Sequence, residues 1–123
     1  MSISKMIDLV PANVKFFPAA EADFLGLDKS RQIKVIKALQ KISRAPSAFG
    51  KELENQAGRP LAGYRSVYVD NRSLRIIWKV TELQVIEVAV IAGIAEREGM
   101  FAYKLVSRRR GELENFIKEL VKQ

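Results

Sequence analysis

Apolar and polar positions recur along this chain with two different periods, and the change between them sets the first expectation of structure. Asn13 to Phe17 (NVKFF) is short, β-prone and stopped by Pro18, which predicts an edge strand feeding a helix. A short helical segment follows through AAEADFLGL. Asp28 is placed to cap a second helix, in which Ile33, Ile36, Leu39 and Ile42 recur at three-residue steps. The other side of that helix carries Lys29, Arg31, Lys34, Lys37 and Lys41 with no aromatic between them, a pattern that favours a solvated face over an RNA track. Arg44-Ala45-Pro46 ends it, and Ser47 to Pro60 is irregular, punctuated by Gly50, Gly58 and Pro60.

Beyond Pro60 the period shortens to two. Leu61 to Val69, Ser73 to Val80 and Val85 to Ala92 read as three strands, with turns at Asp70-Asn71 and Thr81 to Gln84. Short connections between consecutive strands predict an antiparallel meander. After Gly93, IAEREGMFAYKLVSRRR reads as a loop entering a helix, and Leu113, Phe116, Ile117, Leu120 and Val121 mark an amphipathic C-terminal helix. The predicted class is α+β: an N-terminal strand, a two-helix hairpin, three antiparallel strands and a last helix. The helices are expected on one sheet face, leaving the other open. One domain is expected over residues 1–123, with a core at about 13–109, an N-terminal extension at 1–12 and the amphipathic helix at 111–122.

Composition narrows the chemistry. The 123 residues include no Cys and no His, which excludes disulfides, zinc sites, thiol nucleophiles and Ser-His-Asp triads. No metal or cofactor is expected, and any catalysis falls to Arg, Lys, Tyr, Ser, Thr or carboxylates. No apolar run reaches the roughly 18 residues that span a bilayer. The N-terminus carries Asp8 inside a short apolar stretch and lacks a small-residue cleavage site, so a cytosolic protein is expected. The 21 Lys+Arg against 14 Asp+Glu leave a net charge of +7, which attracts polyanions. Both halves share that surplus, so any basic patch has to be assembled by folding.

On the first long strand, Tyr64, Ser66 and Tyr68 alternate with Arg65, Val67 and Val69. On the second, Leu74, Ile76 and Trp78 alternate with Arg75, Ile77 and Lys79. Arg65 and Arg75 are thus placed to share one surface, either gripping phosphate with bidentate guanidinium forks or pairing with acidic neighbours. Trp78 reads as core, and Tyr64 and Tyr68 either stack on RNA or pack under the helices, with packing favoured.

Taken in order, LAGYRSVYV, LRIIWKV and VIEVAVIAGIAEREGMFAYKLVSRR resemble the RelE/ParE superfamily of toxins from type II toxin–antitoxin modules, over about Asn13 to Arg109. The resemblance implies a RelE-like microbial RNase-type fold that enters the ribosomal A site and cleaves mRNA, leaving a 2′,3′-cyclic phosphate and a 5′-hydroxyl. It implies a cognate antitoxin as partner, besides the ribosome and mRNA. By position, Arg75 matches an arginine that braces the phosphate, and Arg97 one that stabilises or protonates the leaving group. Tyr103 matches a tyrosine that stacks on or orients a base, and Arg65 falls where the RelE branch has a lysine. Lys79, Lys104 and Arg108 extend the RNA-binding surface. Arg108-Arg109-Arg110 either touches rRNA phosphates or forms a solvated, helix-terminating cluster.

Val67 stands where that branch carries the lysine proposed as general base, and valine takes no proton. Three readings stay open: a base from elsewhere, with Glu52 or Glu54 as candidates; catalysis by arginine electrostatics; or no RNA cleavage. The last would fit a ParE-like inhibitor of DNA gyrase or a non-catalytic binding module.

Overall fold

The computed structural model of the chain describes residues 6–53 and 61–122. Its elements are β1 (Val14–Phe16), α1 (Pro18–Leu25), α2 (Lys29–Arg44), β2 (Lys51–Glu52), β3 (Tyr64–Val69), β4 (Leu74–Leu83), β5 (Ile86–Glu96), a 3-10 turn (Glu98–Met100) and α3 (Phe101–Lys122). The strands form one sheet in the order β1-β5-β4-β3-β2, with β1 parallel to β5 and the other neighbours antiparallel. The α+β class is as expected. Two details differ. β2 adds a fifth strand, and β5 runs through Gly93 to Glu96, longer than the Val85 to Ala92 expected.

Local signals account for the helix starts. Pro18 opens α1 at a position whose backbone N–H has no helical partner to lose. The Asp28 carboxylate accepts the Arg31 backbone N–H at 2.8 Å, capping α2 as expected. The buried face of α2 is Gln32, Val35, Ile36, Ala38, Leu39 and Ile42, whereas Ile33 is exposed. Strict three-residue steps drift about 60° per step on a 3.6-residue helix, so a row begun at Ile33 leaves the core stripe. Gln32 takes the inward place because its Nε2 donates to the Phe24 carbonyl at 3.1 Å.

One side of the sheet packs on α2. There Trp78 is fully buried, its indole N–H donates to the Pro46 carbonyl at 3.0 Å, and Phe49 stacks on it at 6.5 Å. The other side, expected to be open, is covered by α3, which packs on β4 and β5. Gly93 permits that approach, because a Cβ there would sit 2.9 Å from Val106 Cγ2. Nor does the Arg108–Arg110 cluster end a helix: α3 is continuous for 22 residues. Its inward stripe passes from Ala102 and Val106 through Arg109 to Leu113, so the basic run contributes one residue to the core-facing side.

Arg109 is stabilised there by a half-buried ion pair. Its guanidinium donates to Asp23 on α1 at 2.7 and 2.9 Å and to the Ala92 carbonyl at 3.1 Å. Asp23 also accepts the Ile94 N–H at 3.1 Å. β1 pairs with β5 only at Ala89 to Ile91, so this pair satisfies backbone groups of the β5 edge that β1 leaves uncovered. Asp23→Ala strands the arginine and an edge amide together. The expected loss is about 2–4 kcal/mol in denaturant unfolding, and a loss below about 1 kcal/mol would show that the pair is not holding α1, β5 and α3 together.

Candidate functional site

The turn between β3 and β4 decides which side chains meet. Asp70, Asn71 and Arg72 take left-handed φ values of 54°, 53° and 67°, and Ser73 N–H donates to the Asp70 carbonyl at 3.0 Å. That three-residue reversal sets Tyr68 opposite Arg75, Ser66 opposite Ile77 and Tyr64 opposite Lys79. One face therefore presents Tyr68 and Arg75 side by side. Arg65 lies opposite Trp78 on the reverse face, where it donates to the Phe49 and Gly50 carbonyls at 2.8 and 3.2 Å. The expected shared surface of Arg65 and Arg75 is not formed, because alternation fixes a residue's face only relative to its own strand, and the turn sets the parity between strands. Val67, opposite Ile76, also belongs to the reverse face.

The same parity sorts the candidate bases. On β2, Lys51 pairs with Ser66 and Glu52 with Arg65, so Lys51 joins the Arg75 face and Glu52 does not. Glu54 lies outside the described residues.

Arg75 is the centre of the cluster. It is 7% exposed, and its Nη2 donates to the Tyr68 hydroxyl. Its guanidinium carbon lies 4.5 Å from the Tyr68 ring centroid and 4.3 Å from that of Tyr103 on the first turn of α3. Arg72, from the turn, approaches the Tyr68 ring at 5.0 Å, and Arg97, after β5, at 5.5 Å. A 380 Å³ cavity opens over this cluster, lined by Gly50, Lys51, Ser66, Val67, Tyr68, Arg72, Arg75 and Tyr103. Arg97 lines a neighbouring 570 Å³ cleft together with Arg72, Asn71 and Glu98.

Four cations thus border one concave surface, and among the described residues Arg72, Arg75 and Arg97 pair with no carboxylate. Burial pushes the Arg75 guanidinium below its ordinary value; Tyr103 opposes that shift, and the Arg97 charge adds to it. The Arg75 Nε is buried with no hydrogen-bond partner among the described residues. A buried, incompletely bonded guanidinium flanked by further cations is a receptor for an anion.

Of the other basic candidates, Lys79 lies 5.2 Å over the Tyr64 ring, while Lys104 and Arg108 stand one turn apart on the exposed side of α3. Tyr64 is buried as expected, and burial raises its hydroxyl to about 12.

No protein-family model and no curated protein sequence matches the chain. Solved structures do. A free Escherichia coli RelE toxin with two arginines replaced by alanine superposes with a TM-score of 0.61 at 17% identity, over 78% of this chain and 94% of that one. The toxin–antitoxin complex RelBE2 from Mycobacterium tuberculosis gives 0.55 at 26% identity, over 72% and 100%. The fold is RelE-like. The same variant of the Escherichia coli toxin, bound to an antitoxin RelB peptide, gives 0.56 at 14% identity, over 74% and 88%.

Within this RelE-like fold, the structure gathers Arg75, Arg97 and Tyr103 as expected from the sequence and leaves Arg65 and Glu52 on the reverse face. It adds Tyr68, Arg72 and Lys51. Tyr68 reads from the sequence as a packing residue because its polar end is recognisable only once Arg75 is known to lie opposite. Arg72 sits in a turn, where an arginine has no periodicity to mark it.

The turn itself is braced by Asp70. Its carboxylate accepts Lys34 at 2.7 Å and Arg31 at 2.9 Å, and Arg31 continues to Glu96 at 2.7 Å and Ser73 Oγ at 3.0 Å. Lys34, then Arg31, hold the Asp70 carboxyl down at about 2. A depressed carboxylate contributes stability above its unfolded value near ~3.9 and loses it as pH falls through the folded value. Asp70→Asn is therefore expected to melt below the parent at pH 7, with the gap closing as the pH falls through the window from about 4 to about 2. A gap that stays constant across that window in calorimetry would contradict this brace.

Proposed function

We propose that the chain is the toxin of a type II toxin–antitoxin module, acting in the cytoplasm as a ribosome-dependent endoribonuclease that blocks translation by cleaving mRNA. The observation that carries this reading is the convergence of Arg75, Arg72 and Arg97 on the Tyr68 ring beside a cavity, with no pairing carboxylate among the described residues. Likeness to RelE toxins supports it, and the antitoxin complexes among those structures support a cognate antitoxin as this chain's partner.

The geometry suits intramolecular transesterification, which requires a base, cations and a proton donor but no cofactor. Arg75 and Arg72 hold the non-bridging phosphate oxygens as negative charge builds on phosphorus. Lys51 takes the proton of the 2′-hydroxyl; it is the cavity-lining amine, and it takes the place that Val67 cannot fill. The 2′-oxygen bonds to phosphorus, the bond from phosphorus to the 5′-oxygen breaks, and the 5′-oxygen leaves with a proton. Arg97 stabilises the leaving side. Tyr103 supplies a ring for an unstacked base. Lys79, Lys104 and Arg108 add backbone contacts along α3 and the adjoining sheet.

Induced expression is expected to arrest growth, and purified protein with programmed ribosomes is expected to give cuts with 5′-hydroxyl ends. Arg75→Ala and Arg97→Ala are each expected to slow cutting by about 10²–10³-fold. Undiminished cutting by either variant would overturn the site assignment. Intact mRNA together with trapped gyrase–DNA cleavage complexes would replace the ribonuclease reading by gyrase inhibition.

A further inference from the structure

The cleavage reaction must deliver a proton to the leaving 5′-oxygen, and the arrangement around Tyr68 bears on its source. A guanidinium holds its proton far more tightly than a phenol does, which makes a phenol the better donor for this step. The cavity is lined by two phenols, Tyr68 and Tyr103, and by no Asp or Glu among the described residues. The two phenols differ in their surroundings. Tyr103 has one guanidinium over its ring, whereas Tyr68 has three, Arg75 at 4.5 Å, Arg72 at 5.0 Å and Arg97 at 5.5 Å.

The hydrogen bond between Arg75 and Tyr68 has a direction. Arg75 Nη2 donates and the phenolic oxygen accepts, so the Tyr68 O–H hydrogen is not consumed by that contact. We infer that Tyr68 is the general acid of the reaction, donating its hydroxyl proton to the departing 5′-oxygen. The inference rests on the ribonuclease reading and deepens it. The bond between phosphorus and the 5′-oxygen breaks as the phenol O–H bond breaks, giving a 5′-hydroxyl and a phenolate. Arg75 already donates to the oxygen that becomes anionic, and Arg72 and Arg97 face the ring over which its charge spreads. The phenol is regenerated when the proton taken by Lys51 returns through solvent.

A phenylalanine would keep the ring contacts of all three arginines and lose the oxygen that accepts from Arg75, so the test has to separate that hydrogen bond from proton donation.

The test uses the full chain, programmed ribosomes and two mRNAs. One is ordinary; in the other, sulfur replaces the bridging 5′-oxygen at the mapped cut site. A thiolate leaves without being protonated, so this substrate dispenses with the acid. Tyr68→Phe is expected to cut ordinary mRNA about 10²-fold or more slowly in single turnover with little change in ribosome binding, and to cut the sulfur substrate within about threefold of the parent rate. Equal slowing on both substrates would assign Tyr68 a structural role and overturn the proposal, as would no slowing on either. If the unsubstituted chain cuts neither mRNA, the ribonuclease reading itself fails, which is a different result from a parent that cuts both.

Discussion

The contact between Tyr68 and Arg75 across β3 and β4 is the constraint on which the remaining geometry depends. It follows from strand parity: the two residues pair only because three residues, Asp70 to Arg72, reverse the chain in left-handed conformations. For L-residues such conformations cost roughly 1–2 kcal/mol each, less for Asp and Asn, so the turn needs an offset. Arg31, Lys34 and Ser73, gathered on the Asp70 carboxylate, provide it and tie the turn to α2. A slip of one residue would carry Arg75 to the Trp78 side, where α2 already fills the space.

With that register in place, Arg72 from the turn, Arg75 from β4 and Arg97 from just past β5 meet at the Tyr68 ring, and Tyr103 from the start of α3 meets Arg75. Like charges held this close repel one another, and burial adds to the cost at Arg75. Where other cations of the fold meet carboxylates, as Arg31 meets Asp70 and Glu96 and Arg109 meets Asp23, the charge stabilises the structure. The site cations are left for an anion that arrives from outside. Under the proposed function, an RNA phosphate or an acidic segment of an antitoxin would meet that requirement.

Much of this was legible from residue order. Period-two and period-3.6 runs located the strands and helices, and the Asp28 cap was readable because it depends on residues three positions apart. Arg75, Arg97 and Tyr103 were marked by motif order. The faces were not legible, because the parity linking β3 to β4 lives in a turn whose backbone angles three polar residues do not specify. That gap misplaced Arg65 and concealed Tyr68. The continuity of α3 was hidden by Arg109, which occupies a core-stripe position only because Asp23, 86 residues earlier, meets it. Ile33 was misassigned by following three-residue steps where the helix alternates threes and fours.

The central claim is that Arg75 and Arg97 serve one anion, and the most direct measurement is the arginine side-chain Nε–H spectrum of the full chain during titration with a dinucleotide. A 2′-deoxy dinucleotide resists cleavage and keeps the phosphate. The account predicts that the Arg75 and Arg97 signals shift together along one saturating curve that weakens with added salt. Shifts confined to Arg108 and to residues of α2, with Arg75 and Arg97 unmoved at saturation, would contradict it.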